Sequence, residues 1–595
     1  MVYSVNSSNS DKTVADNYLD KRDKKNNSSA PSSYKNVDKL AQQANRQANR
    51  RQQKQQLENS DPGKAPGKQI KSASISAENN VARLLVEQAM RQPESPAMIL
   101  PGQAPIKFGH LLAHAAMWQK ELLLSYKPGD RIVLLVLPGI ELYSLLLAIL
   151  ASGMSVVFID PSMGKLKMLR AIKRSKAKAI ISYQRLLKYK IFVPDLWMID
   201  CISIDQSPWS KLTPADDKQQ PAIVPVAREF SALISWTSGT TGNPKGAIRQ
   251  HLHLQAQHMA LHNHWHEHPG EVVLSGMPVM ALHFMVCGCC TLPPDIDLSN
   301  PQADAEKVVR QIREHRVRRI ISFPALLERL AKTLEAQNTV IPGVAYIGIG
   351  GSPVSQKLCM RLEKVFPLAR VEVVYGSTEA EPIAFVTASD WLSEFPSQGY
   401  LVGRPVSETL LAIVPTETQL KSGEQVLQAS LGTNQLGEIL VCGRHVLNGY
   451  LNDVKATAEN KLFCDNGFCW HKTGDTGYLD ARGRLWLTGR EKQRVFSDGR
   501  MVDVYPIESE AENLPGIARA ILVQQSARKY PLMVLESENK NIPQASISLL
   551  EQLLIRTGFA DARVLVHPSI PMDSRHHSKV DRKAILQWSK THPKR

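Results

Sequence analysis

The run Thr237-Ser238-Gly239-Thr240-Thr241-Gly242-Asn243-Pro244-Lys245-Gly246, directly after Trp236, is dense in residues that can hold an anion. Glycines let the backbone bend and come close to a ligand, so that N–H groups can point at phosphate oxygens. The hydroxyls of Thr237, Ser238, Thr240 and Thr241 add donors, and Lys245 adds a compact positive charge. The nucleotide-hydrolase loop Gly-x-x-x-x-Gly-Lys-Ser/Thr is excluded, because Pro244 precedes the lysine and Gly246 follows it. The run follows a strand-like segment and is expected to lead into a helical stretch rich in His and Gln. His251, His253, His258, His262, His264, His266 and His268 crowd that stretch. Spacings of two and four could place pairs on one face, but no carboxylate or cysteine set stands out beside them in sequence, so solvated imidazoles are expected.

Further windows recur in a fixed order. They are Gly350-Gly351-Ser352-Pro353, Tyr375-Gly376-Ser377-Thr378-Glu379, Lys472-Thr473-Gly474-Asp475, Gly489-Arg490 and Ser578-Lys579. Together with the loop they resemble the adenylate-forming superfamily of acyl-CoA synthetases, luciferases and peptide-synthetase adenylation domains, over roughly residues 76 to 595. The resemblance implies ATP-dependent activation of a carboxylic acid as an acyl-adenylate, with pyrophosphate leaving. It implies that the loop through Lys245 holds the β- and γ-phosphates. Gly350, Gly351, Ser352, Tyr375 and Gly376 would flank adenine, and Thr378 would contact the α-phosphate. Glu379 and Thr237 would ligate Mg²⁺, since carboxylate and hydroxyl oxygens suit a hard cation. Asp475 would accept hydrogen bonds from the ribose hydroxyls, with Arg490 in support. Lys579 would bridge the carboxylate and α-phosphate where charge builds up. Lys492 would be the hinge of a closing lid.

The acceptor stays open between two readings. One is a thiol, of CoA or a carrier protein. The other is the substrate's own β-hydroxyl, because the longer segment Gly499–Glu508 and the arrangement Pro571-Met572-Asp573-Ser574-Arg575-His576 before Lys579 are similar to the β-lactone synthetases of bacterial olefin biosynthesis. The expected substrate is a fatty or β-hydroxy acid. Met277–Met285 resembles the substrate helix of the family and reads equally well as a core helix. A non-catalytic nucleotide-binding scaffold is the rival of another class.

These residues need rigid elements to position them. Apolar runs at 132–137, 156–159, 179–181, 232–234 and 320–321 alternate with helical patterns at 304–315 and 325–337. That alternation predicts an α/β fold with parallel sheet. We expect a large domain of layered sheets and helices at 76–488 and a small α+β lid domain at 489–595. Residues 1–75, rich in Asn, Ser, Gln and Lys, are expected to be a disordered basic tail. The uncharged stretch Leu142–Ile159 is broken by Ser152-Gly153, and reads as a buried helix and strand and not as a membrane span.

The chain has 595 residues, 43% of them hydrophobic and 22% charged, which excludes a disulfide-stapled mini-protein. Lys and Arg number 72 against 56 Asp and Glu, giving +16. That excess suits polyanions without choosing among them. No aromatic interleaving accompanies it, so no nucleic acid is expected, whereas peripheral membrane contact of the tail is compatible with it. Eight cysteines and no secretory pattern at Met1–Asn6 predict free thiols and a cytoplasmic setting.

Overall fold

The computed structural model describes residues 75–206, 219–237, 244–297, 300, 303, 305–525, 530–573 and 579–591, all within one compact unit, Lys64–Arg595. The expected tail lies almost wholly outside the described residues.

Two sheets dominate. The first has six strands in the spatial order Lys245–Gln250, Ser231–Thr237, Ser155–Ile159, Arg131–Leu135, Ala179–Ser182 and Asp200–Ser203. All neighbours are parallel except the first pair. Parallel strands require crossovers. The helix Ile140–Ala151 supplies one, and its residues Leu142 to Ala151 are all buried. Leu145, Leu147 and Ile149 are at most 1% exposed, and each such side chain contributes about 1.5–3 kcal/mol of burial. The expected buried helix and strand are therefore both present. No helix among the described residues is long and apolar enough to cross a membrane.

The second sheet is larger. Its middle strands Cys290–Leu292, Val272–Ser275, Arg319–Ser322, Tyr346–Gly350 and Arg370–Ser377 run parallel. The helices Glu306–Glu314 and Pro324–Ala336 pack over them with the patterning read from sequence. At Arg370–Ser377 the direction changes. The chain turns back at once into the antiparallel strand Ala380–Thr387. Beyond it the sheet continues through Tyr400–Pro405, Leu485–Arg490, Cys469–Leu479 and Gly437–Cys442.

The C-terminal residues build a three-stranded sheet of Ile517–Val523, Leu532–Ser537 and Arg563–Val566 with the helices Tyr505–Glu512, Gln544–Arg556 and Arg582–Thr591. This is the expected small α+β arrangement. It packs against the larger part. Tyr400 donates to Glu512 at 2.9 Å, and Lys357 reaches the Leu514 and Ile517 carbonyls at 3.0 and 2.8 Å.

Candidate functional site

The turn between Arg370–Ser377 and Ala380–Thr387 organises the site, because side chains at its two ends anchor two polar clusters.

At the first end, Tyr375 is buried and its hydroxyl donates to Asp475 Oδ2 at 2.8 Å. Asp475 Oδ1 pairs with Arg490 Nε at 2.7 Å. Asp475 and Arg490 face each other in register across the antiparallel strands Cys469–Leu479 and Leu485–Arg490, so the sheet brings them together. Burial, reinforced by the Asp475 charge, pushes the Tyr375 phenol well above its ordinary value, so it stays a donor. The Asp475 charge raises the Arg490 guanidinium further still against the opposing effect of burial.

At the second end, Glu379 accepts from the Tyr450 hydroxyl at 2.8 Å, and its carbonyl accepts from Leu447 N at 2.9 Å. Lys245 Nζ lies 5.1 Å from the centroid of the Tyr450 ring, a cation–π contact. Tyr450 thus joins Lys245 to Glu379. Burial would raise the Glu379 carboxyl. The side chains of His471 and Lys461 and the Tyr450 hydroxyl outweigh it and hold the group below the usual carboxylate range. Lys461 is 3% exposed, and its Nζ has no hydrogen-bond partner among the described residues. A buried ammonium in that condition is costly unless an anion meets it. Ser377 Oγ is likewise buried without a partner among the described residues. Arg249 braces the turn, donating to the Thr378 carbonyl at 3.1 Å and to Ser235 Oγ at 2.6 Å.

The strand Tyr346–Gly350 lies beside Arg370–Ser377 and delivers Gly350, Gly351 and Ser352 to the same end of the sheet. Gly351 has φ +93°, and a Cβ there would sit 2.8 Å from the Phe323 ring, so both conformation and space require glycine. Gly376 is tight as well, since a Cβ there would stand 3.2 Å from the Ala380 carbonyl oxygen.

Other expectations fare differently. Thr237 ends the strand Ser231–Thr237 and pairs with Lys245. Ser238, Gly239, Thr240, Thr241 and Gly242 lie outside the described residues, as do Ser574 to Ser578. The strand Lys245–Gln250 follows the loop, paired antiparallel with Ser231–Thr237, and the expected His- and Gln-rich helix comes next as His251–Trp265. Lys492 is exposed in the short turn Glu491–Gln493. Lys579 is exposed too. Its backbone is clipped to Asp573, with Lys579 N donating to Oδ1 at 2.7 Å and Asp573 N donating to the Lys579 carbonyl at 2.7 Å. The structure does not bury it with Asp475 and Glu379. Met280 and Met285 sit in packed core, which favours the core-helix reading of Met277–Met285. The histidine expectation is corrected. His251 and His253 are buried and structural, accepting from Val81 N and from Gln250 N at 3.1 Å each. His262 and His283 meet the buried carboxylate of Glu267.

Tyr450, Lys461, His471 and Arg249 went unnoticed in sequence. His471 directly precedes the Lys472–Asp475 window, which is the one local signal; the others join the site only through strand pairing.

Residues 85–451 match the family model described as AMP-binding enzyme. An olefin beta-lactone synthetase of Stenotrophomonas maltophilia (strain K279a) is 27% identical over 545 residues, spanning 86% of this chain and 98% of that protein. The 4-coumarate–CoA ligase CCL1 of Humulus lupulus is 26% identical over 444 residues, 71% of this chain and 78% of that protein. Among solved structures, ATP-bound MatB from Rhodopseudomonas palustris superposes with a TM-score of 0.72 at 19% identity, covering 87% of this chain and 100% of that one. The amide bond synthetase McbA from Marinactinospora thermotolerans gives 0.72 at 18% identity, covering 86% and 99%. These two likenesses concern the fold.

Proposed function

The chain belongs to the AMP-binding enzyme family, an AMP-forming acid ligase that binds ATP, and from that premise we propose that it activates a fatty or β-hydroxy fatty acid and passes the acyl group to a thiol. The observation that carries the activation step is the turn 375–379. It ties the acceptor Asp475, held by the Tyr375 hydroxyl, to an acid–base set of Glu379, Lys245 and Lys461. Asp475 suits the ribose hydroxyls because it accepts and is already oriented by two donors. Lys461 and the Ser377 hydroxyl, buried without hydrogen-bond partners among the described residues, suit an anion such as phosphate, whose charge would offset the burial that lowers the Lys461 amine, and Glu379, steered by Tyr450, suits Mg²⁺. Bound Mg²⁺ would neutralise phosphate charge.

In this reading a carboxylate oxygen of the acid attacks the α-phosphorus of ATP. The bond from that phosphorus to the bridging oxygen breaks, and pyrophosphate leaves. Positive charge from Lys245 and Lys461 offsets the charge accumulating on the phosphates. Lys579 completes the site when the C-terminal part, 489–595, moves over it about Lys492 as a lid. In the second step a thiolate of CoA or of a carrier protein attacks the acyl carbon, and AMP departs.

A second reading has its own support. The β-lactone synthetase relatives match almost end to end, whereas the CoA ligase match is shorter. Here the β-hydroxyl oxygen attacks the acyl carbon, its proton goes to solvent, and AMP leaves as a four-membered lactone closes. Proximity within one molecule replaces the thiol. Incubation with ATP, Mg²⁺ and a racemic long-chain β-hydroxy acid, with and without CoA, distinguishes them by product mass. Acyl-CoA supports the first, and β-lactone formed without CoA supports the second. No AMP release with any fatty or β-hydroxy acid refutes both.

A further inference from the structure

The ends of the helices His251–Trp265 and Pro278–Val286 bring together side chains that adenylation does not use: His262, Glu267 and Cys287, whose ligand atoms lie within 4.8 Å of one another, and beside them His283. Glu267 Oε2 is 2.7 Å from His262 Nδ1, and Oε1 is 2.6 Å from His283 Nε2. Cys287 Sγ lies 3.8 Å from both of those nitrogens. His283 and Cys287 stand four apart at the end of one helix, so they share a face. The Glu267 and His283 side chains are 0% and 5% exposed, while His262, at 44%, opens the group to solvent.

A carboxylate hydrogen-bonded by two imidazoles can exist without an ion. Such a network does not account for a thiol placed within reach of both nitrogens. A carboxylate withdrawn entirely from water needs partners. Its ion-pair partners among the described residues are the two imidazoles. Arg319, on the neighbouring strand, is engaged by Glu271 at 2.5 Å.

A fifth side chain completes the network. His258 Nδ1 meets His283 Nδ1 at 3.0 Å. When His258 donates from Nδ1, His283 carries its proton on Nε2 and donates to Glu267 Oε1, the arrangement by which outer partners orient a ligating carboxylate.

One nitrogen, one sulfur and one carboxylate oxygen, with the fourth position open to water beside the exposed His262, suit tetrahedral Zn²⁺, a borderline-soft ion. With bond lengths of about 2.0–2.1 Å to N and O and about 2.3 Å to S, the S–N edges of the tetrahedron are about 3.5 Å and the N–O edges about 3.3 Å. The His262–Cys287 separation is within a few tenths of an ångström of that, and Glu267 Oε2 must draw back from His262 by about 0.6 Å. We propose that His262, Glu267 and Cys287 bind one Zn²⁺, with His283, on the other carboxylate oxygen, and His258 behind it as positioning residues. On binding, the Cys287 thiol proton leaves to solvent and a Zn–S bond forms. The ion pins the end of Pro278–Val286 to the end of His251–Trp265.

The full-length protein, stripped with a chelator, is titrated with Zn²⁺ against a chromophoric competitor, and separately with Co²⁺ while absorption is recorded. One Zn²⁺ per chain is expected, with affinity at least tenfold weaker in Cys287→Ser and in Glu267→Gln. Co²⁺ should give a thiolate-to-cobalt charge-transfer band and the intense visible bands of a tetrahedral site, the former absent from Cys287→Ser. The parent spectrum stands by itself if a variant does not fold. Binding unchanged in both variants, as at scattered surface histidines, overturns the proposal. So does a parent protein without the charge-transfer band.

Discussion

Replacing Tyr450 by Phe removes one oxygen from the link between Lys245 and Glu379 and leaves everything else. The ring is 6% exposed, so packing and the cation–π contact with Lys245 survive. What disappears is the 2.8 Å hydrogen bond to the Glu379 carboxylate. A hydrogen bond to a charged group contributes about 1.5–3 kcal/mol. Glu379 is only half-buried, and water can partly replace the hydroxyl, so the lower end applies. At about 1.4 kcal/mol per decade, kcat/KM for adenylation should fall about tenfold if the bond orients the carboxylate in the transition state. The Mg²⁺ concentration giving half-maximal rate should rise with it. ATP–pyrophosphate exchange measured across a Mg²⁺ series reads both quantities, and urea unfolding reads the stability change. Exchange within twofold of the parent at every Mg²⁺ concentration, in a variant destabilised by about 1 kcal/mol or more, would refute the claim that Tyr450 steers a metal-binding carboxylate.

Asp475→Ala strands the Tyr375 hydroxyl and leaves the Arg490 guanidinium without its pair, so ATP affinity should fall at least tenfold and stability by about 2 kcal/mol or more; calorimetric ATP titration with unchanged affinity contradicts the ribose role. Lys579→Ala should abolish pyrophosphate exchange while ATP binding stays within about twofold, and parental exchange activity in the variant sinks its assignment. Burial raises the Glu512 carboxyl from 4.5 to about 7, with Tyr400 opposing. Folding therefore favours its protonated form: that stability is fully present below pH 4.5 and is lost as pH rises through 7. Glu512→Gln should accordingly gain Tm relative to the parent by about 1–3 °C between about pH 5 and pH 8. A difference that stays flat across that range shows that Glu512 does not titrate as described.

Sequence reading reached the parts of the site that are written locally. Tyr375 to Glu379 and Lys472 to Asp475 are short windows whose glycines and polar residues act where they stand. The alternation of apolar runs marked the strands and helices that carry them, down to the buried helix Ile140–Ala151 and its following strand. Tyr450 and Lys461 were invisible because their partners are remote in the chain. Lys461 arrives by pairing with His471, and Tyr450 by bridging to Ala247. The same holds for the histidines. Seven imidazoles in one segment look solvated until Glu267 folds back beneath the helix end and Pro278–Val286 presents His283 and Cys287. The strand Lys245–Gln250 between the anion loop and the expected helix went unread because its pairing, Lys245 with Thr237, reaches back across the loop.

Only three residues separate Tyr375 from Glu379 along the chain, so the spacing between the two clusters is a property of covalent geometry. Side-chain rearrangement can loosen either cluster without lengthening the other's lever. A tilt of the Arg370–Thr387 hairpin, by contrast, displaces both in concert, so distant packing changes under that hairpin would surface as simultaneous losses in nucleotide affinity and metal dependence, never as one alone.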